Sequence, residues 1–536
     1  MEYNLADLYE SIADVVPDSL ALSTGEVKRT YAELDQRANR LAHYFQSRGI
    51  GQGDHVGLHL FNGHEFVEAI LALFKIRAVG ININYRFVAP EVRYMIDNAD
   101  LKGIVTQRRF LPVINEANAG LEPLKALVVI DDGTDAVADQ ESIEYESALA
   151  QGSEERDFAP RSGKDLYIIY TGGTTGMPKG VMWQHEDLFF SALQGGSPGG
   201  DAVESPEQLV EQAKDGWYTV TMLPCAPFIH GAAQFTQFIC NLTGGKLVLQ
   251  AGPSFDAKRI LQLVAEEDVS TISLVGDAMA IPLIDELKSG DYDMSNLAVI
   301  ASAGAILSAS VQQEIEELLP DVMIVNSFGT SESGDLGRAA GDEDSHEGRP
   351  SFYMGEEVTV LDEDGNEIEP GSGKMGLVAR SGRLPLGYYK DPVKTAERFK
   401  DFNGKRWVVP GDFATVEADG RITFLGRGSK CINTGGEKVF PEEVEEALKA
   451  HPKIVDALVV GVPDPRFGSK VAAVFNTREH ESLTLEEVQA HCRQHVAGYK
   501  IPRQITITET VSRFPSGKPD YKWAEEIARE QASANA

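Results

Sequence analysis

Two periods of apolar spacing alternate through the first half of the chain. Thr30-Tyr31-Ala32-Glu33 has the form of a capping box and opens an amphipathic helix running towards Gly49. His55-Val56-Gly57-Leu58-His59-Leu60 then alternates as a strand does. Phe66 to Ile76 is spaced as a second helix, and Gly103-Ile104-Val105-Thr106 as a further short strand. Such alternation predicts an α/β fold whose large N-terminal domain has mixed or parallel sheets and flanking helices.

Three later segments share one theme, a strand running into a loop of small residues. They are Leu166 to Tyr170 before Thr171-Gly172-Gly173, Leu297 to Ala301 before Ser302-Ala303-Gly304-Ala305, and Val322 to Val325 before Asn326-Ser327-Phe328-Gly329. Open α/β sheets bind ligands beyond the carboxyl ends of their strands, so the three loops are expected to converge on one crevice. Gly195 to Asp215, rich in Gly, Pro and acidic residues, reads as an exposed loop or cover.

The texture changes near Gly426. Pro441 to Ala450 is a helix with acidic residues in its first turn, Ile454 to Val460 and Val471 to Phe475 are apolar strands, and Thr484-Leu485-Glu486-Glu487 is another capping box. Ile505 to Thr508 alternates again. This predicts an N-terminal domain over 1–426, a Gly-rich basic hinge at 427–430, and a small mobile C-terminal α+β domain over 431–536.

Composition narrows the class. The 536 residues include 49 Lys plus Arg against 82 Asp plus Glu, a formal charge of −33, and 42% of residues are hydrophobic. That is globular composition, and its acidity argues against a nucleic-acid backbone or an anionic membrane surface as the main partner. Cys225, Cys240, Cys431 and Cys492 form no CxxC pair, so zinc-ribbon and thioredoxin-like chemistry have no support. The N-terminus has no signal-peptide pattern, and the best apolar run, Ala69 to Ile76, is short and contains Lys75. A cytoplasmic protein with no integral membrane segment is expected; assembly as a homodimer is left open.

The most informative stretch is Thr171-Gly172-Gly173-Thr174-Thr175-Gly176-Met177-Pro178-Lys179-Gly180, read as following a strand and preceding a helix. Glycines let backbone N–H groups approach a phosphate chain, threonines add hydroxyl donors, and Lys179 adds a point charge. Pro178 before the lysine and Gly180 after it exclude a Walker A loop. A plain solvated turn needs neither two adjacent threonines nor this length.

This loop resembles the phosphate-binding signature of the adenylate-forming superfamily, and four more segments resemble its motifs in order. Asn326-Ser327-Phe328-Gly329-Thr330-Ser331-Glu332 is similar to the adenine and magnesium segment, and Val409-Pro410-Gly411-Asp412 to the ribose segment. Gly426-Arg427 with Gly435-Gly436-Glu437 is similar to the hinge and pantetheine tunnel, and Pro515-Ser516-Gly517-Lys518 to the catalytic-lysine motif. Taken singly, each has a bland reading as a turn or a surface charge; in this order they do not.

The resemblance implies ATP, Mg²⁺ and CoA as cofactor and co-substrates. It assigns Lys518 to bridge the attacking carboxylate and the ATP α-phosphate, Glu332 to magnesium, Ser331 to the α-phosphate, and Asp412 with Arg427 to the ribose. Phe328 would face adenine and Asn326 its amino edge, with Gly304, Ala305 and Gly329 lining the nucleotide. Each residue type is chemically competent: two anions must meet, so cations and donors must gather where charge develops. The chain departs from the commonest pattern at Gly172 (usually Ser), Phe328 (usually Tyr), Ser331 (usually Thr) and Ser429 (usually Asp or Lys).

Glycines at 435 and 436 suit a narrow thiol arm passing close to the backbone. Lys438, Arg466 and Lys470 are candidates for the CoA phosphates, with surface solvation an equal reading for each. No carrier-protein segment follows, which suggests a freestanding enzyme using soluble CoA. The acyl pocket is expected at Pro224 to Gly231, with His230 as a gate and Ala232, Ala233, Phe235 and Gly276-Asp277-Ala278-Met279 as walls. These walls are small and apolar with no obvious cation, favouring a hydrophobic carboxylic acid, fatty or steroidal. Thr171 to His185 and Ile432 to Val439 are similar to bacterial fatty-acid and steroid side-chain CoA ligases. The alternatives are an adenylating enzyme with a non-CoA acceptor and a non-catalytic nucleotide-binding homologue.

Overall fold

The computed structural model describes residues 2–172, 177–305, 307–340, 345–346, 349–434, 437–464, 468–478, 481–514 and 517–534. The large N-terminal part holds three sheets. Five parallel strands, in the spatial order 79–82, 55–59, 101–107, 126–130 and 143–144, form the first. The crossovers are helices, as parallel pairing requires: His64–Lys75 joins the first two strands in sequence and Ala89–Asn98 leads to the third. The capping box predicted at Thr30 forms, with Thr30 Oγ1 accepting from Glu33 N and Glu33 Oε2 accepting from Thr30 N.

A second sheet has an antiparallel first strand, 28–30, then parallel strands 20–23, 246–248, 221–224, 271–274, 299–303 and 323–330, and continues antiparallel through 334–340, 349–354, 422–427, 412–416 and 375–380. The third is an antiparallel hairpin of 166–171 and 179–184, extended by Gly387–Tyr388. Asn82 ties the first sheet to this hairpin. Its Nδ2 donates to the Tyr170 and Ile229 carbonyls at 2.8 and 2.7 Å, and its Oδ1 accepts from Tyr170 N at 2.8 Å.

Three sequence expectations are corrected here. Thr171 and Lys179, on either side of the phosphate-type segment, pair on antiparallel strands, so strand Lys179–Gln184 follows that segment and the short helix His185–Ser191 comes only afterwards. The stretch 195–215 is not a plain exposed loop, because Gly195 and Gly196 are buried and Pro206–Asp215 is a helix. Its signals are local: Ser205 caps it, Pro206 stands in the first turn, and Gly216 ends it at φ +74°. Asn326 to Gly329 is also strand rather than loop, the edge of 323–330.

The small C-terminal part is α+β, as predicted. Strands 454–464 and 468–477 pair antiparallel and 504–507 joins 468–477 in parallel, with helices Pro441–Lys449, Leu485–Cys492 and Tyr521–Ala534 around them. Its apolar clusters, around Val459, Phe475 and Val488 and around Leu458, Val474 and Ala528, are its own. No helix among the described residues is long and apolar enough to cross a membrane.

Candidate active site

Strand pairing builds the first part of the site. Asp412 and Arg427 are directly opposite each other on strands 412–416 and 422–427, and Arg427 Nε donates to Asp412 Oδ1 at 2.9 Å. The second carboxylate oxygen, Oδ2, is buried and has no partner among the described residues. A buried ionised acceptor left open is costly, so it is suited to a ligand hydroxyl. The Asp412 carboxylate also raises the Arg427 pKa, keeping that cation charged. Gly411, at φ +99°, makes the turn that delivers Asp412; a Cβ there would lie 2.7 Å from Arg398 Nη1.

Glu332 lies in the turn between strands 323–330 and 334–340. Trp183 Nε1 donates to the Ser331 carbonyl at 2.9 Å, and buried Arg380 Nη1 donates to the carbonyls of Ser191, Ser333 and Asp335 at 3.0, 2.9 and 2.7 Å. Tyr388 O–H donates to Glu332 Oε1 at 2.8 Å. Burial first, and then the Glu332 charge, push the Tyr388 phenol far above its usual range, so it stays a donor. Lys179 pairs with Asp391 at 3.1 Å and its Nζ lies 5.8 Å from the Tyr388 ring centre, so the hairpin lysine and the Glu332 turn share one neighbour.

Lys518 reaches the same crevice from the small domain. A Cβ on Gly304 would lie 3.8 Å from Lys518 Cε, so the side chain passes over a residue that has none. Gly517, at φ +76°, seats the loop: a Cβ there would meet the Val275 carbonyl at 2.6 Å. Lys518 is solvent-exposed as a whole residue, yet protein crowding its ammonium lowers its pKa. Arg427 works in the same direction, and Glu332 and Asp412 against it. Lys518, Glu332, Asp412 and Arg427, taken from four separate sequence motifs, thus form one electrostatic cluster.

Other candidates are placed differently. Asn326 is buried, with Oδ1 accepting from Leu307 N and Nδ2 donating to Gln312 Oε1, both at 3.2 Å. It holds the loop after Ala305, whose carbonyl accepts from Ser302 Oγ at 2.8 Å. Phe328 packs against Phe352 and Phe424 with ring centres 5.4 and 5.2 Å away. Gly329 approaches the backbone closely; a Cβ would lie 2.3 Å from the Gly334 carbonyl. Thr171 and Gly172 are described, whereas Gly173, Thr174, Thr175, Gly176, Gly435, Gly436 and Arg466 and the side chains of Glu437 and Lys438 lie outside the described residues.

His230 precedes helix Gly231–Leu242, with Nε2 buried and without a partner among the described residues. Burial first, then the Lys518 and Arg86 cations, hold its pKa down to about 3, so the imidazole is neutral. Beside it is a cavity of about 40 Å³ lined by Tyr85, Arg86, Cys225, Pro227, Phe255 and Met279 among others. Cys225, Pro227 and Met279 were expected as walls. Arg86 was not, and it supplies a cation where none was read. Asp277 is no wall either: it is buried and paired with Lys449 at 3.0 Å. Trp183, Arg380, Tyr388 and Asp391 were missed altogether, because each acts through contacts with no local sequence pattern.

The AMP-binding enzyme family model matches residues 9–389, and the model of the AMP-binding enzyme C-terminal domain matches 443–518. This chain belongs to the AMP-binding enzyme family. The superfamily resemblance read from five segments is borne out. A 3-oxocholest-4-en-26-oate--CoA ligase of Rhodococcus rhodochrous is 46% identical over 98% of this chain and 96% of its own length. A medium/long-chain-fatty-acid--CoA/3-oxocholest-4-en-26-oate--CoA ligase of Mycolicibacterium smegmatis is 44% identical over 99% and 97%. The AMP-binding fold is also that of the anthranilate CoA ligase AuaEII with anthranoyl-AMP, at 22% identity, 99% and 98% coverage and TM-score 0.83.

Proposed function

We propose that this member of the AMP-binding enzyme family is an ATP-dependent acyl-CoA synthetase, an acid–thiol ligase. Its acid is hydrophobic, a medium- or long-chain fatty acid or a steroid side-chain acid, and AMP and pyrophosphate are released. The observation that carries this reading is the meeting of Lys518 with Glu332, Asp412 and Arg427 over Gly304. A cation from one domain stands over a nucleotide-type carboxylate pair in the other.

The chemistry follows from what each group can do. The substrate carboxylate attacks the ATP α-phosphate, and pyrophosphate leaves. Lys518 neutralises the two approaching anions, a task for positive charge placed where negative charge develops. Asp412 Oδ2 accepts a ribose hydroxyl, with Arg427 holding the carboxylate in place. Ser331 donates to the α-phosphate. Mg²⁺ brought in on the nucleotide would be held by Glu332 together with phosphate oxygens, where it would offset phosphate charge. The CoA thiol then attacks the acyl carbonyl and AMP departs. For that step the small domain turns about 427–430, withdrawing Lys518 and presenting the Gly435 segment.

The relatives named above support a fatty or steroidal acid. Cys225, Cys240 and Cys492 are buried as thiols, in keeping with a cytoplasmic location. The test is mass spectrometry of products from ATP, Mg²⁺ and a panel of fatty, aryl and steroid acids, with and without CoA. Acyl-CoA from a fatty or steroid acid is expected. Acyl-adenylate that accumulates equally with and without CoA would refute the thiol acceptor.

A further inference from the structure

We propose that Asp277, Lys449 and Glu446 are positioning residues for adenylate formation, holding the Lys518 loop in the crevice; the inference rests on the ligase reading above. Helix Pro441–Lys449 of the small domain lies across the N-terminal ends of two helices of the large one, Asp277–Ser289 and Ala309–Leu318. Lys449 Nζ donates to Asp277 Oδ2 at 3.0 Å, with the two side chains 12% and 2% exposed. Asp277 Oδ1 accepts from Ser308 N at 2.8 Å, so both oxygens are used. Burial opposes ionisation of this carboxylate, but Lys449 and the Ser308 N–H outweigh it and its pKa falls.

Glu446 makes the second contact. Its Oε1 accepts from Ala309 N at 3.0 Å. Ser308, at the N-cap of helix Ala309–Leu318, makes no side-chain capping bond of its own. The small domain therefore supplies the missing cap across the interface, and the helix N-terminus favours a carboxylate there.

The same two segments seat the lysine. Val275, two residues before Asp277, receives Gly517, and Gly304, four residues before Ser308, lies under Lys518 Cε. Ser302 Oγ accepts from Gly276 N at 3.0 Å and joins the two segments into one shelf. On the other side, Arg513 donates to both Asp456 oxygens at 2.6 and 2.7 Å and to the Gly517 carbonyl at 3.2 Å. Asp456 belongs to strand 454–464, where Val459 N donates to Glu445 Oε1 on helix Pro441–Lys449 at 2.9 Å. Polar contacts, joined by the backbone of helix Pro441–Lys449 and of strand 454–464, thus link the Asp277 pair to the Lys518 loop. Neither contact belongs to the apolar core of either domain, so losing them moves Lys518 without opening a core.

The test uses the full chain and separates the half-reactions. ATP–pyrophosphate exchange is measured with an acid the wild type accepts, beside thioester formation from supplied acyl-adenylate and CoA. Asp277→Asn and Lys449→Gln are expected to lower exchange by about tenfold or more. Glu446→Ala lowers it by less, and Glu446→Gln, whose carbonyl oxygen still accepts from Ala309 N, stays near wild type. Thioester formation stays within about twofold in all four. Parallel loss of both half-reactions, or exchange untouched in every disruptive variant, overturns the proposal. If Asp277→Asn fails to fold, Glu446→Ala against Glu446→Gln decides, and equal exchange in the two overturns it. A wild type that exchanges pyrophosphate yet makes no thioester refutes the ligase reading instead, leaving the exchange comparison intact.

Discussion

Asp412 turns a residue ordinarily found in a solvated loop into a binding group by having one oxygen fixed and the other left open. Asp412→Asn exchanges an ionised acceptor for an amide and places an N–H₂ near Arg427, so the ATP KM is expected to rise about tenfold or more in steady-state kinetics. An unchanged KM removes Asp412 from the nucleotide site. Lys518 must be charged to bridge two anions, and its folded pKa is lowered from 10.5. As pH rises through that lowered value the charge is lost, so kcat/KM for ATP should fall on an alkaline limb below the ordinary lysine range. Lys518→Arg should move that limb out of range, and a limb at the same pH in both would assign it elsewhere. Glu332→Gln should raise the Mg²⁺ concentration needed for adenylation; an unchanged magnesium titration strikes Glu332 from the ligands. These residues were legible in the sequence because each stands in a short run of turn-forming neighbours. Tyr388 and Arg380 were not, since they act on Glu332 and its turn from 56 and 47 residues away.

Among the elements, helices and strands with clean periods were read where they occur, down to the capping boxes at Thr30 and Thr484. The hairpin strand after the phosphate-type loop was not. Lys179–Gln184 lies between two strands of its own sheet and shows no clean alternation of apolar residues. Helix Pro206–Asp215 carried its Ser205 cap and Gly216 stop openly, but Gly, Pro and acidic content outweighed those signals in the reading. Lys75 shows a different limit. It interrupts an apolar run, and the structure buries it completely at the end of helix His64–Lys75, with Glu10 at 2.5 Å and Asp35 at 2.7 Å. Lys75→Ala removes one cation from a buried network in which Glu10 keeps Arg161 and Asp35 keeps Arg156, and is expected to cost about 1–3 kcal/mol in chemical denaturation. A loss under about 1 kcal/mol would mean that this triad is far weaker than its burial implies.

At the scale of the whole molecule, the change of texture near Gly426 announced two domains, but nothing local announced how they meet. The docked orientation depends on pairs such as Lys449 with Asp277, 172 residues apart, and on Gly517 fitting against Val275. Acidity argued against some partners without naming one, and the chemistry came from ordered motifs that the fold brings to one crevice. The central claim is that a carboxylate oxygen of the substrate attacks the α-phosphate there. Incubating the enzyme with ATP, CoA and acid labelled with ¹⁸O in both carboxylate oxygens tests it directly by mass spectrometry of the nucleotide product. The account predicts AMP carrying one ¹⁸O beside acyl-CoA; unlabelled AMP, or label in inorganic phosphate with ADP as the nucleotide, contradicts it.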